Sequence, residues 1–131
     1  MSLKNFGAKT ILIAEDDTFN MQLLQALLAN ISTFKTIPSY DGAEALEILN
    51  SSGTEIDMIL LDIRMPIMTG EEFLKEIKGN TALSDIPVLV ISVDQDNEAE
   101  LREMGAVDFI QKPFDINDLE KKISAAFGES N

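Results

Sequence analysis

The residues able to act together in this chain stand directly behind its most apolar stretches. Glu15, Asp16 and Asp17 follow the run 10–14, and Asp62 and Arg64 follow 56–61. Ser92 ends 87–92, while Lys112 and Pro113 follow 107–110. Short continuous apolar runs rich in β-branched residues read as buried strands of a parallel sheet. The intervals between them are whole strand–helix units, so the residues behind them can converge on one rim. Two carboxylates about 4 Å apart repel by roughly 4 kcal/mol at an effective dielectric of 20. Three of them together therefore either shift upward in pKa or hold a cation. The chain contains neither histidine nor cysteine, which leaves a hard, oxygen-seeking divalent ion plus a lysine. Mg2+ fits, since it takes one or two carboxylates, keeps several waters and leaves room for phosphate oxygens. Each residue taken singly also has an ordinary role. Asp17 or Thr18 would cap a helix, Asp62 would be a loop aspartate, and Lys112-Pro113 would mark a turn.

The elements that must position this rim alternate along the chain. After the first strand, Met21, Leu24, Leu28 and Ile31 recur at steps of three and four, one face of a helix over 18–31. A weaker strand is expected over 33–37. Asp41-Gly42 then opens a helix lined by Ala45, Leu46 and Leu49. Thr69 and Glu72 have the spacing of a capping box, followed by the stripe Phe73, Leu74, Ile77. A polar helix is expected over 95–104 with Leu101 and Met104 as its large apolar anchors, ended by Gly105. Asp115 should cap a last helix bearing Ile116, Leu119, Ile123 and Phe127. Five strand–helix pairs with short links imply an α/β domain of one five-stranded parallel sheet covered on both faces. The flavodoxin-like order 2-1-3-4-5 suits that size, and its ligand crevice lies beyond the carboxyl ends of the strands.

Composition bounds the function. With 131 residues the chain fits one domain, read as 1–131 with a core at about 10–127. Without cysteine or histidine, disulfides, thiolate chemistry and Ser–His nucleophile systems are excluded. Ten basic against 23 acidic residues give a net charge of −13, a field that repels nucleic-acid phosphates and anionic lipid. An apolar fraction of 45% is too high for a disordered acidic tail. No long apolar run or signal-peptide core is visible, so a cytoplasmic domain is expected, with no output domain in this chain.

The motif 11–17 (ILIAEDD), the run 58–70 (MILLDIRMPIMTG), Ser92 and Lys112-Pro113-Phe114 together resemble the response-regulator receiver domain of two-component signalling. The likeness extends from about Thr10 to Phe127, with the D-x-x-M-P-x-x-x-G run and the KPF element in the right order. The resemblance implies a CheY-like phosphoacceptor switch rather than an enzyme with a free substrate. Asp62 would accept a phosphoryl group from a kinase's phosphohistidine. Asp16 would bind Mg2+ directly and Glu15 through water, with Asp62 and the Arg64 backbone carbonyl as further ligands. Lys112 would pair with the phosphoryl oxygens, Ser92 would hydrogen-bond them, and the Lys112–Pro113 bond would be cis. Phe109 would be the switch aromatic, turning inward as Ser92 moves, and self-dephosphorylation would reset the signal.

With no histidine in the chain, the donor must be a histidine kinase or histidine phosphotransfer protein acting in trans. A downstream protein or fused output domain would read the switch, and a phosphorylation-driven homodimer through the last two helices is compatible with it. Arg64 and Asp94, each two residues beyond a site residue, are expected to face each other across the mouth. A small-molecule phosphatase of the D-x-D type would need a second carboxylate where Arg64 stands. Nucleotide binding would need a glycine-rich loop after the first strand, and none follows.

Overall fold

The strands follow the apolar runs in the computed structural model, which describes residues 3–52, 55–65, 67–93 and 97–128. They are β1 (Thr10–Ala14), β2 (Lys35–Ser39), β3 (Met58–Asp62), β4 (Val88–Ser92) and β5 (Asp108–Gln111). Between and after them lie α1 (Thr18–Ile31), α2 (Gly42–Ser52), α3 (Gly70–Lys78), α4 (Glu98–Glu103) and α5 (Ile116–Ala126). All neighbouring strands are parallel, in the order β2-β1-β3-β4-β5. This is the flavodoxin-like α/β arrangement that the strand–helix alternation called for.

The period of two along each strand sorts side chains to opposite faces. Leu12, Ile59, Leu61, Val88, Val90 and Phe109 pack with Ala45 and Leu49 of α2, Phe73, Leu74 and Ile77 of α3, and Leu101 of α4. Ile11, Ile13, Met58, Leu60, Leu89, Ile91 and Ile110 pack with Leu24 and Leu28 of α1 and Leu119 and Ile123 of α5. The central strand β3 is buried along its whole length, so Asp62 sits at the end of the best-held element of the sheet. Among the described residues, no helix is long and apolar enough to cross a membrane.

Three helix starts use the side chains that the sequence offered. Asp17 Oδ2 accepts the Asn20 N–H at 2.8 Å, which gives Asp17 to capping α1. At α3, the Glu72 N–H donates to Thr69 Oγ1 at 3.2 Å and the Thr69 N–H to Glu72 Oε1 at 2.9 Å, a complete capping box. Asp115 Oδ1 accepts the N–H groups of Asn117 and Asp118 at the start of α5.

Elsewhere the structure departs from the sequence reading. Strand β2 begins and ends two residues later than 33–37 and runs through Pro38. Proline lacks an N–H and would break an inner strand, but β2 is an edge strand with β1 as its one neighbour. Helix α4 begins at Glu98, and Gln95, where a start was expected, lies outside the described residues. The packed region also begins before Thr10. A 3-10 turn over Leu3–Phe6 buries Leu3 to 1% exposure, and the Phe6, Phe34 and Phe127 rings meet with centroids 5.3 and 5.6 Å apart.

The end of α4 is closed by a Schellman turn. The Gly105 N–H donates to Arg102 O and the Ala106 N–H to Leu101 O, both at 3.0 Å, with Gly105 at φ +113°. A Cβ at Gly105 would press into the Lys78 side chain, whose Nζ is held by Ser84 O at 2.9 Å. Gly105→Ala is therefore expected to cost about 1–2 kcal/mol, through a conformation that alanine avoids and through lost Lys78 packing. A lower urea midpoint at unchanged slope would register it.

Candidate functional site

The carboxyl ends of β1, β3, β4 and β5 bring together the residues that the sequence placed on one rim. Backbone bonds beyond the ladders fix their approach. The Glu15 N–H donates to Ser39 O at 3.0 Å, the Ile63 N–H to Ile91 O at 3.2 Å, and the Lys112 N–H to Ser92 O at 3.0 Å. Glu15, Asp16 and Asp62 each offer a carboxylate oxygen, all within 4.8 Å of one another. Asp62 is 4% exposed and Glu15 fully buried, while Asp16 is exposed. These three acids could hold a metal ion.

The two oxygens of Asp62 have different partners. Oδ1 accepts the Arg64 N–H at 3.0 Å, and Oδ2 lies 3.4 Å from Lys112 Nζ. Lys112 Nζ is also 3.1 Å from Glu15 Oε1, an ion pair without hydrogen-bond geometry, so this buried oxygen has no hydrogen-bond partner among the described residues. Glu15 Oε2 accepts the Asp17 N–H at 3.0 Å. One lysine thus faces two buried carboxylates. Its partly buried position pulls the Lys112 ammonium down in pKa, but Glu15 and Asp62 outweigh this and hold it above the ordinary lysine value. Burial, reinforced by Asp62, pushes the Glu15 carboxyl up to about 7 against the opposing Asp17 N–H and Lys112. A buried carboxylate oxygen with no hydrogen-bond partner among the described residues, beside two further acids, belongs to a ligand set suited to a hard divalent cation.

Ser92 is half-buried at the end of β4 and lines a crevice of about 580 Å³ with Asp16, Arg64, Thr69, Leu101 and Phe109. The crevice opens beside the carboxylates, between the β3–α3 connection and α4. Phe109 is 5% exposed, with its ring turned into the core. The Lys112–Pro113 peptide is cis. Asp94, which the sequence paired with Arg64, lies outside the described residues, as does Pro66 of the D-x-x-M-P run.

One contact was not read from the sequence. The Arg102 guanidinium of α4 lies 4.9 Å from the Phe109 ring centroid and donates to Val107 O at 2.8 Å and Asp108 Oδ1 at 3.2 Å. The polar helix is thus clamped to β5 by a charged side chain as well as by Leu101. The signal available was an arginine one turn before Gly105, placed so that the reversal at the glycine returns the chain beneath it.

Residues 11–124 match the response regulator receiver domain. The chain is 33% identical over 120 residues to the two-component response regulator ORR5 of Oryza sativa subsp. japonica, a match spanning 90% of this chain and 88% of that protein. It is 37% identical over 125 residues to a probable cyclic di-GMP phosphodiesterase of Vibrio cholerae, where it spans 94% of this chain and 27% of the relative. The solved signal receiver domain of a signal transduction histidine kinase from Syntrophus aciditrophicus is 30% identical with a TM-score of 0.82, covering 93% of this chain and 92% of that one. With the family match running through every strand and the acidic rim at its carboxyl edge, the chain belongs to the response regulator receiver domains of two-component signalling.

Proposed function

We propose that the chain is a phosphoacceptor switch in which Asp62 takes a phosphoryl group from a kinase phosphohistidine in a Mg2+-dependent step. The observation that carries this reading is the Asp62 carboxylate itself, nearly buried, held between a backbone N–H and a lysine and crowded by two further acids, of which Asp16 lines the adjoining crevice. An acid so placed is costly to keep unless its charge is used. An Asp62 oxygen forms a bond to phosphorus while the phosphorus–nitrogen bond of the phosphohistidine breaks, and the departing imidazole takes up a proton. Water later cleaves the acyl phosphate, releasing inorganic phosphate and restoring the carboxylate.

An anion attacking an anion needs charge neutralisation and positioning more than covalent help. Lys112 supplies one positive charge to the phosphoryl oxygens and Ser92 a hydroxyl donor. Asp16 directly, Glu15 through water, and the Arg64 carbonyl would hold Mg2+, which supplies further positive charge to the transferring group. Arg64 also donates its N–H to Asp62, which keeps that carboxylate aimed. Phe109 is the switch aromatic, and its neighbours Leu101 and Arg102 couple its position to α4. The α4–β5–α5 region then carries the signal to a downstream protein, a fused output domain or a second copy. With no histidine among its residues, the domain takes its phosphoryl group from a phosphohistidine outside them. The reading makes it a cytoplasmic partner of a histidine kinase or phosphotransfer protein.

Intact-mass analysis after incubation with acetyl phosphate tests this. One phosphoryl adduct per chain is expected with Mg2+, little without it, and loss of the adduct once the donor is removed. A chain that stays unlabelled with Mg2+ present would overturn the reading.

A further inference from the structure

Among the described residues, Ile67 is the one non-glycine with positive φ, at +73°, and its side chain is 80% exposed. A β-branched residue is poorly suited to this backbone, because its Cβ substituents crowd the following carbonyl. The connection that carries it has no slack. The Gly70 N–H donates to Ile63 O at 3.1 Å, and a Cβ on Gly70 would lie 2.6 Å from Ile63 Cα. Met68 packs on Gly42, where a Cβ would approach Met68 Cβ to 2.9 Å, and Thr69 is fixed by its capping box. The left-handed turn at position 67 is therefore imposed from both sides. Glycine or asparagine would adopt it at less cost, and the isoleucine side chain buries little in exchange.

Local energetics thus disfavour isoleucine here, so its value must lie in a contact outside the chain. Ile67 is five residues beyond Asp62, on the rim that any protein delivering a phosphoryl group in trans must cover. Phe19, 69% exposed, lies in the first turn of α1 directly behind β1, the strand next to β3, and so stands on the same rim. The surround is acidic, with Asp16 and Asp17 exposed beside it in a chain of net charge −13. We propose that Ile67, with Phe19, is the apolar contact by which this receiver selects its phosphodonor protein, one whose phosphohistidine is bordered by an apolar patch and flanked by basic residues. The inference rests on the phosphoacceptor reading above and names the partner surface that the reading requires.

Ile67→Asn, Ile67→Gly and Ile67→Leu in the full chain test it against two donors, acetyl phosphate and a panel of purified phosphohistidine transfer domains. Asn and Gly should raise the urea midpoint and leave acetyl-phosphate labelling within two-fold of the parent. For a transfer domain that phosphorylates the parent, kcat/KM should fall at least ten-fold for Asn and Gly through KM, while Leu retains most of the transfer. Unchanged protein-donor transfer in Asn and Gly would overturn the proposal. So would a lower urea midpoint, which would give the side chain a role in the fold. A parent labelled by acetyl phosphate but by no phosphohistidine domain would also overturn it. A parent labelled by neither donor would instead overturn the phosphoacceptor reading.

Discussion

Asp62→Asn is expected to lose the phosphoryl adduct completely and, at pH 8 without divalent metal, to be more stable than the parent. The loss follows because the amide has no carboxylate oxygen to form an acyl phosphate. The gain follows from charge. Oxygens of Glu15 and Asp16 lie within 4.8 Å of Asp62, so each repels it by about 3.5 kcal/mol at an effective dielectric of 20, less for the exposed Asp16. Lys112, 3.4 Å away, attracts Asp62 by about 5 kcal/mol on the same scale. These terms nearly cancel. Desolvation of a carboxylate 4% exposed then tips the balance against the charged side chain. The asparagine oxygen still accepts the Arg64 N–H, so a net gain of about 1–2 kcal/mol is expected, read from the urea midpoint. Mg2+ should stabilise the parent more than the variant. An adduct that persists in Asp62→Asn would move the phosphoacceptor to another side chain, with Glu15 and Asp16 the nearest candidates.

The legible part of this structure is the part whose physics is local. Strands β1, β3 and β4 are continuous apolar runs because both of their faces are covered, and the chemistry stands directly behind them. Thr69 with Glu72, and Asp115, announce helix starts because a cap acts within three residues. Three consecutive acids, by contrast, look alike in sequence and separate only in space. Glu15 is buried against Lys112, Asp16 faces the mouth, and Asp17 turns away to cap α1. Which of three neighbours is buried depends on where Ser39 of β2 receives the Glu15 N–H, a long-range fact. The bounds of strand β2 are not legible in the sequence, because whether Pro38 is tolerated depends on the strand being an edge, which only the topology decides. The Phe6, Phe34 and Phe127 cluster joins residues from both ends of the chain, so no periodicity could reveal it. Ile67 shows the reverse case, since its residue type argues against the conformation that the flanking anchors impose.

The pH response of the metal-free protein should be set largely by Glu15. Its carboxyl titrates near 7 in the folded chain against 4.5 as the ordinary value, so between those limits the native state binds the extra proton. Where the folded state holds more protons, stability falls as pH rises. The contribution of this group is intact below pH 4.5 and is lost as pH climbs through about 7, a total of about 3 kcal/mol. The raised Lys112 pKa acts in a higher window, above the ordinary lysine value, and leaves this range alone. Thermal or urea unfolding in chelator should therefore show the protein weakening from pH 5 to pH 8, at constant ionic strength. Glu15→Gln removes the titrating group and should flatten that slope, and Asp62→Asn should reduce it by taking away the neighbour that helps raise the Glu15 pKa. Mg2+ competes with the same proton, so its apparent affinity should weaken at least ten-fold from pH 8 to pH 5.5 in the parent. Glu15→Gln should bind Mg2+ less tightly at pH 8 and with little pH dependence. Equal slopes for the parent and Glu15→Gln in chelator would assign the titration to another acid and leave the buried Glu15 charged throughout.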